Sequence, residues 1–223
     1  MKKTLLMAAL AAAVVGVALG GGEQAVSTFT DKRDGKVYRI VEIGGAVWMA
    51  ENLNFAAEGS KCYGEGGKVA SYDENGSHIR TTISDAEVQA NCAKYGRLYD
   101  WKTAVKACPA GYHLPSYDEW TALENAVGGR STAGTKLKSA EGWNNSWNNN
   151  GNGTDDYGFL ALPGGYGYAS GSFYNAGYNG YWWSATVDDA GYAIIRAMEY
   201  DDESVDGYGN TKALLFSVRC VKD

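Results

Sequence analysis

Thirty glycines interrupt this chain and divide it into short stretches of ordered sequence. They show no period of three, and proline occurs only three times, so a collagen-type triple helix is excluded. Hydrophobic residues still make up 45% of the chain, which is ordinary for a globular protein and excludes a chain too polar to fold. The sequence therefore predicts a loop-rich fold, and 223 residues suit one domain with a short appendage.

The first 22 residues have the three parts of a secretory signal peptide. Met1-Lys2-Lys3 is basic, residues 4–19 are almost entirely apolar, and Ala18-Leu19-Gly20 places small residues where signal peptidase reads them. We expect cleavage after Gly20 or Gly22. The alternative is a retained anchor, but the apolar stretch is shorter than the ~20 residues of a spanning helix. The sequence thus predicts a secreted or cell-surface protein, or a periplasmic one, with no membrane insertion after cleavage.

Charge argues against nucleic-acid partners. Loss of Lys2 and Lys3 with the signal moves the formal net charge from −6 to −8. An acidic protein without a basic cluster has no field that attracts phosphate backbones or anionic lipids. We therefore expect neither nucleic acid nor a membrane surface as a partner.

All four cysteines follow the predicted signal, at positions 62, 92, 108 and 220. An even number in an exported chain predicts two disulfide bonds. Four cysteines allow three pairings, and the residues alone do not choose among them. A CxxC motif is lacking from the sequence, which argues against a zinc knuckle or a thioredoxin-like redox pair.

The first half of the chain predicts a hairpin, a loop and two helices. Residues 36–43 and 46–49 flank Gly44-Gly45, which suits the two-residue turn of a β-hairpin. Residues 56–84 are small and polar, so we expect a loop in which His78 is incidental. Asp100 can cap a helix over Trp101–Cys108. Ser116 and Glu119 have the capping-box spacing of a second helix, which ends at Gly128-Gly129.

Beyond residue 130 the helical signals fade, and short β-like stretches alternate with turns rich in glycine and asparagine. The stretches are Phe159–Leu162, Tyr181–Ala185, Tyr192–Tyr200 and Leu214–Val221. Two central helices among short, mainly antiparallel strands predict an α+β fold.

A series of sequence blocks runs in one order through residues 28–223. The blocks include Asp34–Tyr38, Val47–Asn54, Tyr95–Trp101, Ala107–Pro115, Ala133–Ser139, Gly158–Gly165, Tyr181–Thr186 and Phe216–Asp223. Together they resemble the Fibrobacter succinogenes major paralogous domain, a bacterial family that is secreted or surface-exposed. The resemblance implies a single domain over residues 28–223 and leaves its biochemical role open.

The same resemblance implies a C-type-lectin-like fold, a superfold that also contains the formylglycine-generating enzymes. A helix ending in Cys108, a second helix and a cysteine in the last strand are similar to the lectin-like core. The resemblance therefore implies the pairs Cys108–Cys220 and Cys62–Cys92. The segment His113–Trp120 is similar to a block of the formylglycine-generating group, and we interpret it as scaffold.

We predict no catalytic residue, no metal and no cofactor. Formylglycine-generating chemistry needs reactive cysteines late in the chain, and residues 181–198 contain none. His113 lies between two helices, where we interpret it as structural, and the acid pairs at 155–156, 188–189 and 201–202 as turn acids. Asn150, Asn152, Asp155 and Asp156 offer calcium-type ligands in a glycine-rich loop, but a turn is the simpler interpretation. Calcium binding there is left open.

Residues 166–183 hold eight aromatic side chains interleaved with glycine, serine and asparagine. Aromatic plates beside adaptable polar groups are typical of binding loops, although aromatics that fill the core would give the same composition. Trp182 and Trp183 are neighbours on a predicted strand, so we expect at most one to face the core. The candidate ligand-binding residues are Tyr166, Tyr168, Tyr174, Asn175, Tyr178, Asn179 and Trp182.

The sequence-based hypothesis is a non-catalytic recognition module for a glycan or a protein. The alternatives are an extracellular enzyme of the formylglycine-generating superfold with altered chemistry, and a structural component of the cell envelope.

Overall fold

A computed structural model describes residues 27–72, 78–146 and 150–223. The predicted signal peptide lies outside these residues. In the described part of the chain, strands account for 37% and helices for 19%. The strands form two β-sheets, and the helices are four short elements around them.

The bounds of the elements follow in chain order. The strands are β1 (Ser27–Thr30), β2 (Val37–Ile43), β3 (Ala46–Met49), β4 (Lys68–Tyr72), β5 (His78–Thr81), β6 (Leu98–Tyr99), β7 (Tyr112–His113), β8 (Gly164–Tyr168), β9 (Ser172–Ala176), β10 (Asn179–Val187), β11 (Tyr192–Glu199), β12 (Asp206–Thr211), β13 (Leu214–Ser217) and β14 (Val221–Lys222). The helices are α1 (Asp85–Tyr95), α2 (Trp101–Ala107), α3 (Tyr117–Ala126) and α4 (Arg130–Leu137).

The two sheets differ in size and in pairing. The five-stranded sheet has the order β1-β2-β3-β14-β7. The nine-stranded sheet has the order β12-β11-β10-β13-β8-β9-β4-β5, and β6 also pairs with β13. Most neighbours are antiparallel, but β10 runs parallel to β8 and to β13, and β4 runs parallel to β9.

The predicted fold class is wrong. Strands outweigh helices about two to one, and a lectin-like α+β arrangement around two central helices is not what the described residues form. The predicted loop over residues 56–84 contains β4 and β5, and its last residue, Ser84, caps α1. Short strands of two to five residues carry too little alternation to be seen in the sequence, which is why the sheet content was underestimated.

The local predictions that rested on capping and turn chemistry are confirmed. Gly44 and Gly45 both have positive φ at the β2–β3 turn. Asp100 accepts the Thr103 N–H at the start of α2, and Ser116 and Glu119 form the capping box of α3. The C-terminal stretch that was predicted as one strand is two, because the chain leaves the nine-stranded sheet after β13 and joins the five-stranded sheet at β14.

Arg219 lies where the chain crosses between the sheets, and its side chain is completely buried. Its Nη1 donates to the carbonyls of Phe159 (2.6 Å) and Met49 (3.2 Å), and its Nη2 donates to Leu160 O (3.2 Å) and Asn52 Oδ1 (2.8 Å). Burial lowers the pKa of the guanidinium to about 9, so it is still charged at neutral pH. Main-chain carbonyls and the side-chain amide of Asn52 thus hold the buried cation. Among the described residues, no carboxylate lies within hydrogen-bonding distance of it.

Strand β10 is covered on both faces. Trp182 packs towards α3, with its ring 6.4 Å from that of Trp120, and Trp183 lies 4.8 Å from Phe216 on the opposite face. Both tryptophans are fully buried. The expectation that at most one of them faces the core is wrong, because helices α3 and α2 contribute to cores on the two sides of this strand.

Two disulfide bonds link parts of the described chain that are distant in sequence. Cys108, at the end of α2, is joined to Cys220 over 112 residues, and Cys62 is joined to Cys92 of α1 over 30 residues. This is the pairing that the resemblance implied. In the chain-entropy model, closing the longer loop destabilises the unfolded chain by about 4–5 kcal/mol.

His113 ties the C-terminal residue to α3. Its Nδ1 lies 2.7 Å from Asp223 Oδ1, and its Nε2 lies 2.7 Å from Glu119 Oε1. Partial burial lowers the pKa of His113, but the hydrogen bonds and charges of the two carboxylates outweigh that effect and raise the pKa above 6.5. The imidazole therefore acts as a clamp in this structure.

We expect Arg219→Lys to destabilise the protein by about 2–4 kcal/mol, because one ammonium cannot satisfy all the acceptors that the guanidinium reaches. Urea unfolding followed by tryptophan fluorescence measures this loss. The control is Arg39→Lys, since Arg39 is a partly exposed residue paired with Glu51 and should change the free energy of unfolding by less than about 0.5 kcal/mol. Equal effects of the two substitutions would refute the role assigned to Arg219.

We expect His113→Gln to destabilise the protein in mildly acidic solution and hardly at all in alkaline solution. The folded-state pKa is raised, so the contribution of the charged ring is complete below about pH 6.5 and is lost as the pH rises through the folded-state pKa. The difference in Tm between wild type and variant should be about 2 °C at about pH 5.5 and close to zero at about pH 9. A difference in Tm that does not change with pH would contradict the clamp.

Candidate functional site

Tyrosines from four strands gather on one face of the nine-stranded sheet. Tyr166 and Tyr168 are two residues apart on β8, so both side chains point to the same face. Tyr174 on β9 lies directly opposite Tyr166 in the antiparallel register. Tyr181 on β10 and Tyr208 on β12 complete the group.

The rings form a connected cluster. Tyr166 stacks on Tyr174 with centroids 5.3 Å apart and planes 20° apart, and it meets the edge of Tyr181 at 5.6 Å. Tyr168 lies 5.9 Å from both Tyr166 and Tyr174. Contacts of this kind add stability beyond the area they bury, so the rings hold one another in place.

The cluster borders an open pocket of about 280 Å³, which we call the tyrosine pocket. Its lining consists of four tyrosines, two asparagines and two apolar side chains: Tyr166, Tyr168, Asn175, Tyr181, Tyr208, Asn210, Leu214 and Phe216. Phenolic hydroxyls and two carboxamides supply donors and acceptors, while the rings and the apolar side chains supply contact area. Pockets that bind small molecules commonly combine apolar walls with a few polar groups in this way.

Three phenols of the pocket, those of Tyr166, Tyr181 and Tyr208, have raised pKa values and remain protonated at neutral pH. Burial raises the pKa of Tyr166 and of Tyr181 to about 12, and the neighbouring Tyr168 and Tyr208 add to these two shifts. Burial also raises the pKa of Tyr208, helped by the charges of Glu199 and Asp206. Each of these hydroxyls is therefore available as a donor at neutral pH.

Asn175 is positioned by an uncommon backbone conformation. Gly165 on β8 and Asn175 on β9 lie between paired residues of the ladder, and each has a φ of 63°. A Cβ atom on Gly165 would lie 2.2 Å from Tyr174 O, so glycine is required there. Asparagine is among the few residues that tolerate this region, and at Asn175 it places an exposed carboxamide at the pocket.

Four of the predicted ligand-binding residues lie together, and three do not. Tyr166, Tyr168 and Asn175 line the pocket, and Tyr174 stacks on Tyr166 beside it without lining it. The interpretation is wrong for Trp182, which is fully buried and donates from Nε1 to Asn52 Oδ1 at 2.8 Å.

The other two predicted residues lie away from the pocket lining. Asn179 is only 8% exposed. Tyr178 packs edge-on against Tyr200 at 5.2 Å. Tyr178 precedes β10, and Asn179 is the first residue of that strand and lies directly opposite Glu199 of β11, so neither extends the lining that β8 and β9 provide.

Sequence reasoning missed the part of the pocket that β12 contributes. Tyr208 is 42% exposed, and Asn210 lies two residues further along on the same face. The segment 206–210 repeats the mixture of glycine, tyrosine and asparagine that marked residues 166–183. That composition was a signal that could have located the second wall.

The candidate calcium loop is held by its own side chains. Asn150 accepts the Asn152 N–H, Asn152 accepts the Trp143 N–H, and Asp155 accepts the Leu160 N–H. Among the described residues, no group of three or more His, Cys, Asp or Glu side chains is placed to hold a metal ion. Hydrogen bonds of this kind stabilise a turn of the backbone. Residues 147–149 lie outside the described residues.

The acid pairs serve turns in the same way. Asp189 accepts the N–H groups of Gly191 and Tyr192, and Asp202 accepts that of Ser204. All four cysteines are in disulfide bonds. The side chain of His78 lies outside the description.

Comparison with known proteins identifies a family and no individual relative. The family model described as Fibrobacter succinogenes major domain matches residues 41–222. No curated protein and no solved structure matches the chain. The matched range contains both disulfides and every residue of the tyrosine pocket. The chain therefore belongs to the Fibrobacter succinogenes major domain family.

Proposed function

We propose that this domain is a non-catalytic recognition module that binds one sugar ring of a glycan in the tyrosine pocket. The observation that carries the proposal is the lining: tyrosine rings and two carboxamides converge on one open cavity. Tyr168 and Tyr208 are 43% and 42% exposed, so two of these rings can be reached from solvent.

The chemistry of the lining suits a sugar. The C–H faces of a pyranose stack on aromatic rings, while its hydroxyls need partners that both donate and accept, as phenols and carboxamides do. The volume of about 280 Å³ is at the small end for ligand pockets and suits a single ring. None of the eight lining side chains carries a charge, so the hydroxyls of a sugar meet no unpaired ion within the lining itself.

The pocket is built on strands and is ordered before binding. Its rings pack on one another, and Asn175 is fixed by its backbone conformation. Ordering side chains on binding costs free energy, so a site that is already ordered binds more tightly with the same contacts. This favours recognition over a role in which the tyrosines only fill space.

The two disulfide bonds support a location outside the cytoplasm, at the cell surface or in the periplasm, since such bonds persist in oxidising compartments. None of the helices in the described residues has the length and apolarity needed to cross a membrane. Formylglycine-generating chemistry itself requires reactive thiols, and the four cysteines are engaged in these bonds.

We expect Tyr168→Ala and Tyr208→Ala each to weaken glycan binding by about tenfold, because each removes an exposed stacking surface. A glycan array identifies the ligand, and isothermal titration calorimetry measures the affinity of each variant. Tyr168→Phe keeps the ring and should lose no more than about threefold.

Two further substitutions serve as controls. Tyr157→Ala removes an exposed tyrosine that does not line the pocket, and Tyr178→Ala removes one that packs against Tyr200. Both should leave the affinity unchanged. Absence of binding on the array, or losses as large for the controls as for the pocket variants, would overturn the proposal and favour a structural role in the envelope.

A further inference from the structure

The tyrosine pocket has an acidic border on one side. In the ladder of β10, β11 and β12, Tyr181 lies opposite Ala197, and Ala197 lies opposite Asp206. Glu199 is two residues beyond Ala197 on the same face. Diagonal neighbours of this kind are about 7–8 Å apart between Cα atoms, within reach of long side chains. Two carboxylates thus border the wall formed by Tyr181 and Tyr208.

The two carboxylates differ in their neighbours. Asp206 forms an ion pair with the guanidinium of Arg130. Glu199 has no ion-pair partner among the described residues. The nearby Lys138 ammonium donates instead to the main-chain carbonyls of Glu199 and Asp202, both at 2.9 Å. Partial burial and the charges of Asp201, Asp206 and Asp202 raise the pKa of Glu199, whereas a hydrogen bond with the side chain of Asn179, directly opposite in the ladder, lowers it.

A cation lies at the other side of the tyrosine cluster, on Arg80. Its guanidinium lies 5.5 Å from the ring of Tyr174, which lies beside the pocket and does not line it. The field inside the pocket is therefore expected to be negative on the side of Glu199, and phenyl rings add a further attraction for cations.

We propose that Glu199 makes the tyrosine pocket selective by charge, favouring an amino sugar with a free ammonium group over the neutral sugar and excluding the sugar acid. The inference rests on the proposed function and names the chemical class of its ligand. An ammonium group on the bound ring would be attracted by Glu199, whereas a carboxylate there would be repelled by it; the charge of Asp206 is offset by Arg130. Over about 7–8 Å, with the dielectric screening of a protein surface, each change of charge alters the affinity by about threefold to tenfold.

The test uses a glycan array that carries glucose-, galactose- and mannose-type oligosaccharides, each as the neutral, the amino and the uronic-acid form. For the backbone that binds, wild type should prefer the amino form by about threefold to tenfold over the neutral form, with the acid form weakest. In Glu199→Gln the affinities for the three forms should differ by less than about twofold, while the affinity for the neutral form stays the same. Added salt at about 0.5 M should weaken the same preference in wild type.

Glu42→Gln is the matched control, since Glu42 is exposed on β2 of the five-stranded sheet and its substitution removes the same charge away from the pocket. It should keep the wild-type order. Binding of neutral sugars without any dependence on charge, or a dependence that survives Glu199→Gln, would overturn this inference and leave the proposed function intact. Failure of every form to bind would overturn both.

Discussion

The buried guanidinium of Arg219 is the interaction on which the two-sheet structure depends. A cation removed from water costs several kcal/mol unless its donors are satisfied. Here the donors reach carbonyls of residues 49, 159 and 160 and the amide of Asn52. Asn52 in turn accepts from Trp182 and donates to Tyr95 O and to Ser217 Oγ. One network therefore links β3, the end of α1, β10, β13 and the segment before β8. Hydrophobic packing alone would not fix the positions of these elements relative to one another.

With this network in place, the site can occupy a region that does not hold the fold together. The tyrosines lie on β8, β9, β10 and β12, and the exposed rings of Tyr168 and Tyr208 contribute little to burial. The two positive-φ residues at 165 and 175 are compatible with a stable sheet because the ladder continues on both sides of them. Strain of this kind persists where surrounding contacts determine the backbone.

Turns and helix caps were predictable from the sequence, whereas the way in which the strands and helices pack together was not. Gly44-Gly45 and the Ser116–Glu119 box each specify one conformation by themselves, so both were found. The capping box Ser84–Glu87 carries the same signal for α1 and was overlooked within a polar segment, whereas α4 begins after Gly129 without a side-chain cap and gives no signal. Which strands pair, and that both faces of β10 are covered, depend on residues far apart in the sequence, such as Trp120 and Trp182.

Only part of the tyrosine pocket was predictable from the sequence, because its walls come from segments that are far apart in the chain. Composition pointed to the tyrosines of β8 and β9, which are close in sequence, but it could not show that β12 lies across from them. Exposed apolar residues scattered singly, such as Val37 and Val187, need no explanation. Tyr168 and Tyr208 are different, because both border one cavity with two carboxamides and an apolar floor. An exposed aromatic surface that is shaped and ordered in this way is retained most simply if a ligand covers it.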